Sequence, residues 1–261
     1  MNEREKILRY YQASGDGDLA ARLLDLAEAA LRNRRYKVTE FLDPFGYSIA
    51  ESIAAHYDRL ELLSSGGYNG AERVKAVFVN EEFRGNPDFG LEVLAAKWDE
   101  RYYEITHRDV LGALMGLGIK REILGDIIMC GQGCQILADA SLLNFIMQNF
   151  NKIGAAPIVV SQLELSAIVP KEEKMKEIKT TVASLRLDVI AAAGFGTSRS
   201  RMADEIAVGK LKVNWQESKN SAQNIKEKDI ISMRGRGRVE VSEVLGQTKK
   251  GRISILLKRF I

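Results

Sequence analysis

Apolar positions along the first part of the chain recur at three- and four-residue steps. In "GDLAARLLDLAEAALRNRR", Leu19, Leu23, Leu26 and Ala30 fall at helical spacing, with Asp16 and Asp18 near the start, so residues 3 to 35 read as helical. A Pro-Gly break in "DPFGYSIAESIAAHYDRLELL" precedes a second helix, around Ser48 to Tyr57. The glycines of "SSGGYNGAE" predict a loop over 64 to 72. The pattern then changes. "RVKAVFVN" (73 to 80) reads as a strand and "NPDFG" (86 to 90) as a turn. After them come a strand at Leu91 to Trp98, a helix at Arg108 to Leu117 and a strand at Asp126 to Met129. "CGQGC" turns tightly into a strand at Gln135 to Ala138, followed by a helix at Ser141 to Asn151 and a strand at Ile158 to Leu163.

From residue 91 the predicted order is βαββαβ, the ferredoxin-like arrangement shared by RNA-recognition modules and by many unrelated proteins. Those modules stack bases on aromatics of their two central strands. The corresponding strands here, "LEVLAAKW" and "CQILA", offer only Trp98, near a strand end, so a structural or protein-binding role for this sheet is favoured over base reading. "VPKEEKMKEIK" has a proline followed by dense mixed charge, as linkers do. The expected fold class is therefore α+β. An N-terminal helical region (1–72) precedes a ferredoxin-like, RRM-like domain (73–168), a linker (169–179) and a small C-terminal domain (180–261).

Composition narrows the setting. The chain has 261 residues, 46% hydrophobic and 28% charged, enough for two or three small cores. Two cysteines and a charged N-terminus without an apolar core segment predict a reduced, cytoplasmic location. No run approaches the roughly 20 apolar residues of a membrane helix, so a soluble protein without a membrane partner is expected. Charge is unevenly spread: residues 182–261 carry 16 Lys/Arg against 8 Asp/Glu, and the remainder 22 against 27. A basic C-terminal third on an acidic body points to a polyanion partner, with a solvated basic face as the plainer alternative.

That third carries the most specific pattern. Arg186-Leu187-Asp188 opens a short apolar helix, and Ser198-Arg199-Ser200-Arg201 opens a second. Gly209 precedes "KLKVN", and Asp229 leads a strand into "SMRGRGR". In order and spacing, over about 60 residues, this resembles the small RNA-binding domain first seen in ribosomal protein S-four, the alpha-L motif. Trp215 departs from that pattern, since glycine commonly follows the asparagine. With the helical N-terminal region and ferredoxin-like middle, nearly the whole chain resembles the YlmH family of bacterial proteins. The resemblance implies RNA binding. By relation to the heat-shock protein fifteen family it also implies contact with ribosomal RNA on the large ribosomal subunit, with stalled peptidyl-tRNA as a further candidate partner. DNA is not an expected partner.

Two arginines at a helix start pose a physical question, because that end carries partial positive charge and mildly repels cations. Ser198 or Ser200 can cap the helix. Met202, Ala203 and Ile206 are expected to face inward, leaving Arg199 and Arg201 outward. A docked RNA phosphate would accept the free N–H groups and charge-assisted bonds from both arginines. The alternative pairs them with carboxylates such as Asp204 or Glu205. If "RGRGR" is extended, Arg234, Arg236 and Arg238 share one face about 6.6 Å apart, with Lys210 and Lys212 alternating on the strand before. Arg186 and Asn214 complete the candidate RNA-binding residues. Trp215 has two open readings, stacking on a base or packing half-buried.

Several signals are set aside. "RLD" also occurs in pseudouridine synthases with a catalytic aspartate, but here it opens the binding domain itself, and Asp188 is expected to partner a nearby arginine. Methyltransferases with this module need a glycine-rich cofactor loop that is not seen. Cys130 and Cys134, with His56 and His107 far off in sequence, do not form the four-ligand cluster a zinc site requires. "GQG" lacks the residues of a phosphate loop, and His107 reads as local packing. No catalytic residue, metal or cofactor is expected. The competing functions are an RNA-modifying enzyme of the pseudouridine synthase type and a protein-binding adaptor.

Overall fold

In the computed structural model, which describes residues 3–170 and 175–260, the helical stretch read over 3 to 35 breaks at Gly15 into α1 (Glu3–Ser14) and α2 (Gly17–Asn33). The chain divides into two units, Met1–Lys171 and Glu172–Ile261.

The start of the first unit is not purely helical. β1 (Tyr36–Leu42), α3 (Pro44–Ala54), β2 (Leu60–Ser65) and β3 (Val74–Asn80) follow α2, and the strands form an antiparallel sheet in the order β1-β3-β2. The proline read as a break is instead the first residue of α3, where its missing N–H costs nothing. Asp43 caps this helix, accepting from the Gly46 N–H at 2.8 Å. β3, which the sequence pattern groups with the middle domain, is the central strand of this first sheet. α2 and α3 pack on the sheet through Leu23, Leu24, Ala27, Ile49, Ile53 and Phe78, all buried.

The middle module follows the predicted order closely. β4 (Leu91–Lys97), α4 (His107–Gly116), β5 (Leu124–Cys130), β6 (Gly133–Asp139), α5 (Leu143–Asn149), a two-residue pair β7 (Lys152–Ile153) and β8 (Ala156–Pro157), and β9 (Val159–Leu163) make up the set. The sheet runs β5-β6-β4-β9, all antiparallel, which is the ferredoxin-like strand order. α4 and α5 cover one face around Leu94, Leu114, Ile136, Ile146 and Phe150. The opposite face, where RNA-recognition modules stack bases, is closed. Phe41 of β1 packs there on Ile128 and Leu137, with Tyr68, Leu91 and Ile168 around them.

Polar groups seal the same junction. The Arg73 side chain donates to the Leu124 carbonyl at 3.0 Å and the Phe41 carbonyl at 2.7 Å. Asp126 accepts from the Tyr68 hydroxyl at 2.8 Å and the Glu72 N–H at 2.7 Å. Burial, with Arg73 close by, lowers the Arg121 guanidinium pKa to about 10. The Lys75 side chain is only 4% exposed and places its ammonium on Asp139 and on the Gly90 carbonyl. Asp139→Asn would leave that ammonium buried without an anion. Because Asp139 itself is partly exposed, a loss of about 2–3 kcal/mol is expected, below the range for fully buried pairs. Burial alone would raise the Asp139 pKa, but bonds from Lys75 and Ser141 outweigh it and hold the carboxyl below its ordinary value. This stabilisation is therefore present above about pH 4 and fades as pH falls through the depressed folded pKa. Thermal unfolding of wild type and Asp139→Asn at several pH values checks both points; the two curves converge in acid.

The second unit holds β10 (Met175–Val182), α6 (Leu187–Phe195), α7 (Arg199–Ala207), β11 (Leu211–Val213), β12 (Gln216–Glu217), β13 (Ile230–Met233), β14 (Gly237–Gln247) and β15 (Ile253–Phe260). The strands form one antiparallel sheet in the order β10-β15-β14-β13-β11-β12. The second half of the expected linker is thus strand β10, paired with β15 from Met175↔Phe260 to Val182↔Ile253. Residues 171–174 of that linker lie outside the described residues. The core joins Leu187, Ile190 and Phe195 of α6 to Met202 and Ile206 of α7 and to Leu211, Ile231, Val239 and Leu257 of the sheet.

Candidate nucleic-acid interface

Two short helices present their starts side by side. α6 opens after Arg186, and its first turn carries Asp188, whose side chain is 4% exposed. Asp188 accepts from Arg186 Nε at 3.1 Å and Nη2 at 3.2 Å, and from Arg199 Nε at 2.8 Å. Burial pushes the Asp188 pKa up, but the two guanidiniums outweigh it and keep the carboxyl below its ordinary value. The expected structural partnership of Asp188 is thus present, with two arginines. Its carboxylate is engaged on both oxygens and buried, a poor position for attacking a nucleotide.

α7 starts at Arg199, capped by Ser198, whose Oγ accepts from the Arg201 N–H at 3.3 Å. Ser200 lies against Ser198, Oγ to Oγ at 3.3 Å. Met202 and Ile206 point into the core and Ala203 is half-buried, as the helical spacing requires. Arg199 remains 57% exposed while bound to Asp188, and Arg201 is exposed. The repulsion at the helix start is thus relieved in part from within, at Arg199, by a carboxylate that sequence reading did not pair with it. Arg201, one helical turn before Glu205, adds electrostatic attraction to that carboxylate.

Glu205 gathers the second group. Lys210 lies 2.6 Å from its carboxylate. Its pKa is held below the ordinary value chiefly by Lys210, with Arg201 and Arg236 adding attraction. Arg236 donates to the Phe195 carbonyl at the end of α6 at 3.4 Å, and the Arg234 N–H bonds the Lys210 carbonyl at 3.1 Å. These contacts place "RGRGR" beside both helices. It is not extended: Arg234-Gly235-Arg236 is the turn of the β13–β14 hairpin, with Gly235 and Gly237 at φ of +81° and +83°. Those left-handed values favour glycine, which adopts them without steric cost.

The turn breaks up the expected single row of arginines. Arg236 joins Arg201 and Lys210 around Glu205, and Arg234 is tied to Lys210 through its backbone N–H, whereas Arg238 enters β14 and lies over the Phe260 ring at 5.2 Å. Lys212 is exposed on β11 between buried Leu211 and Val213. Asn214 is held within the fold, donating to Asp229 Oδ1 and accepting from the Ile230 N–H, both at 2.9 Å. Glu205, which the sequence offers as an alternative partner for the helix-start arginines at four-residue spacing from Arg201, also draws in Lys210 and Arg236 from beyond the helix.

Elsewhere, Cys130 and Cys134 sit on opposite strands of the β5–β6 hairpin, Cys130 exposed and Cys134 buried, with burial raising the Cys134 pKa to about 12. Thr106 and Asp109 form a capping box around His107 at the start of α4. Among the described residues no helix is long and apolar enough to cross a membrane.

Three family models match the chain: "YlmH, N-terminal" over residues 16–83, "Putative RNA-binding domain in YlmH" over 85–167, and "S4 domain" over 185–231. A relative from Bacillus subtilis (strain 168), "Ribosome-associated protein quality control protein P2", is 31% identical over 226 residues, covering 86% of this chain and 88% of the relative. The chain belongs to the YlmH family. A solved YlmH structure, "Cell division protein ylmH from Streptococcus pneumoniae", shares the fold with a TM-score of 0.52 at 21% identity, over 60% of this chain and 95% of the other. The first YlmH model ends after β3, in keeping with that strand's place in the first sheet. The S-four-type match covers both arginine-bearing helix starts and stops before the "RGRGR" turn.

Proposed function

We propose that this YlmH-family chain is a non-enzymatic RNA-binding protein that grips structured ribosomal RNA on the large ribosomal subunit. Stalled peptidyl-tRNA is the adjoining ligand, and ribosome quality control is the setting. The observation that carries the reading is the convergence of Arg186, Ser198, Arg199, Ser200 and Arg201 at two helix starts, continued by Lys210 and Arg236 around Glu205 and by Arg234 on the adjoining turn. Paired helix starts with exposed guanidiniums hold phosphates through N–H groups and charge-assisted bonds. Such contacts position the protein on folded RNA without reading its sequence. The name of the Bacillus subtilis relative, a ribosome-associated quality control protein, supports the setting. The burial of Asp188 between two arginines speaks against a pseudouridine synthase.

Co-sedimentation of the full-length protein with separated ribosomal subunits tests this. Binding is expected to the large subunit, with a log–log salt slope of roughly −3.5 to −4.5 for about five phosphate contacts. Failure to bind at low salt, or binding that ignores salt, overturns it.

A further inference from the structure

Position 215 carries a bulky residue in left-handed backbone. Val213 pairs with Gln216, so Asn214 and Trp215 alone form the β11–β12 turn, with φ of +48° and +67°. A two-residue hairpin turn with both φ positive favours asparagine first and glycine second. Asn214 fits. Trp215 does not: a bulky side chain in left-handed backbone is strained and persists only where its surroundings enforce it. Here they do, because the Asn214 amide is bonded to Asp229 and Ile230. Trp215 is half-buried on this turn tip.

The surroundings of that tip are rich in lysine, and the exposed acid nearest it in sequence, Glu217, faces Lys212 across the hairpin and pairs with Lys219. Through Asn214 it lies beside the turn at 226–229, whose Lys228 also has a left-handed φ of +69°. The acids there serve the fold: Asp229 accepts from the Lys226 N–H, and Glu227 from the Val244 N–H. Lys226 is exposed, and Lys228 is 73% exposed with only a 3.9 Å approach to Glu240. Lys212 projects from β11, two residues before the turn.

We infer that Trp215 is a stacking platform for an unpaired nucleobase of the bound RNA, with Lys212, Lys226 and Lys228 holding the flanking phosphates. An aromatic face accepts any base, so this contact adds affinity for unpaired nucleotides without sequence preference. It rests on the RNA-binding reading above and extends it to a ligand feature, a looped-out or single-stranded base, that the arginine clusters do not demand.

The test uses full-length protein carrying Trp98→Phe, so that tryptophan emission reports position 215 alone. It is titrated with an RNA stem–loop and with a fully paired RNA duplex of equal length. The stem–loop is expected to quench the emission and the duplex to do so far less. Adding Trp215→Gly should weaken stem–loop binding roughly 5- to 150-fold, the loss typical of one stacked base, with the salt slope unchanged. Trp215→Phe should retain most of the affinity. The thermal unfolding midpoint of Trp215→Gly should not fall, because glycine relieves the left-handed strain. Unquenched emission, equal affinity of the glycine variant, or a clear drop in its unfolding midpoint makes Trp215 a packing residue and overturns the inference. If the Trp98→Phe protein binds neither RNA, it is the RNA-binding reading that fails.

Discussion

Arg201→Ala combined with Arg236→Ala is expected to weaken binding of the full-length protein to large ribosomal subunits by roughly a hundredfold at physiological salt, as two charge-assisted bonds are lost. Both arginines lie near Glu205, which keeps Lys210 when they are gone, so the fold should be little disturbed. The salt slope should become shallower by about 1.4–1.8, because each phosphate contact contributes some 0.7–0.9. Arg199→Ala is a less clean choice, since Arg199 also neutralises buried Asp188 and its loss would mix folding with binding. Quantitative sedimentation over a range of potassium chloride concentrations, with unfolding midpoints in parallel, measures affinity, slope and fold together. A double variant that binds as tightly as wild type, with the same slope, would remove the second basic cluster from the interface.

Phe41→Ala is expected to destabilise the first unit by about 3–5 kcal/mol, the usual cost of truncating a fully buried phenylalanine. Phe41 is 1% exposed and fills the space between β1 and the ferredoxin-like sheet. A Cβ at Gly125 would sit 2.6 Å from its ring, so the ring is fitted closely against that bare backbone. For a unit of this size the unfolding midpoint should fall by roughly 10 °C. Phe41→Leu, which keeps much of the volume, should cost less than half as much. Thermal and urea unfolding of the two variants decides the matter; a loss below 1 kcal/mol for Phe41→Ala would mean that the two modules hold together without this contact.

The closed sheet face also changes how the middle module is understood. Its sequence lacks base-stacking aromatics on the central strands, and the structure supplies the reason: Ile128 and Leu137 are core residues beneath Phe41, and Gln135 is buried with its amide bonded to Ala167 and Val169. A module of this fold with that face covered must meet any RNA through other surfaces.

What the amino-acid sequence determined by itself was mostly local. The βαββαβ order from residue 91 was legible because alternating and helical periods are punctuated by glycines and capping residues such as Thr106 and Asp109. The two helix starts at Leu187 and Arg199 were legible from apolar positions at helical spacing and, at Arg199 alone, from a serine cap. The glycines of "RGRGR" were a turn signal that a row of arginines obscured. Tertiary structure alone decided the rest. It placed β3 between β1 and β2, where burial on both faces gives a plain apolar run that fits any sheet. It set Phe41 over a sheet that begins 50 residues later, and brought Arg199 back to Asp188 from 11 residues away. Period and capping act over a few residues, and the chain states them in order. Which apolar face covers which, and which cation meets which buried anion, depends on packing between distant segments that no local pattern encodes.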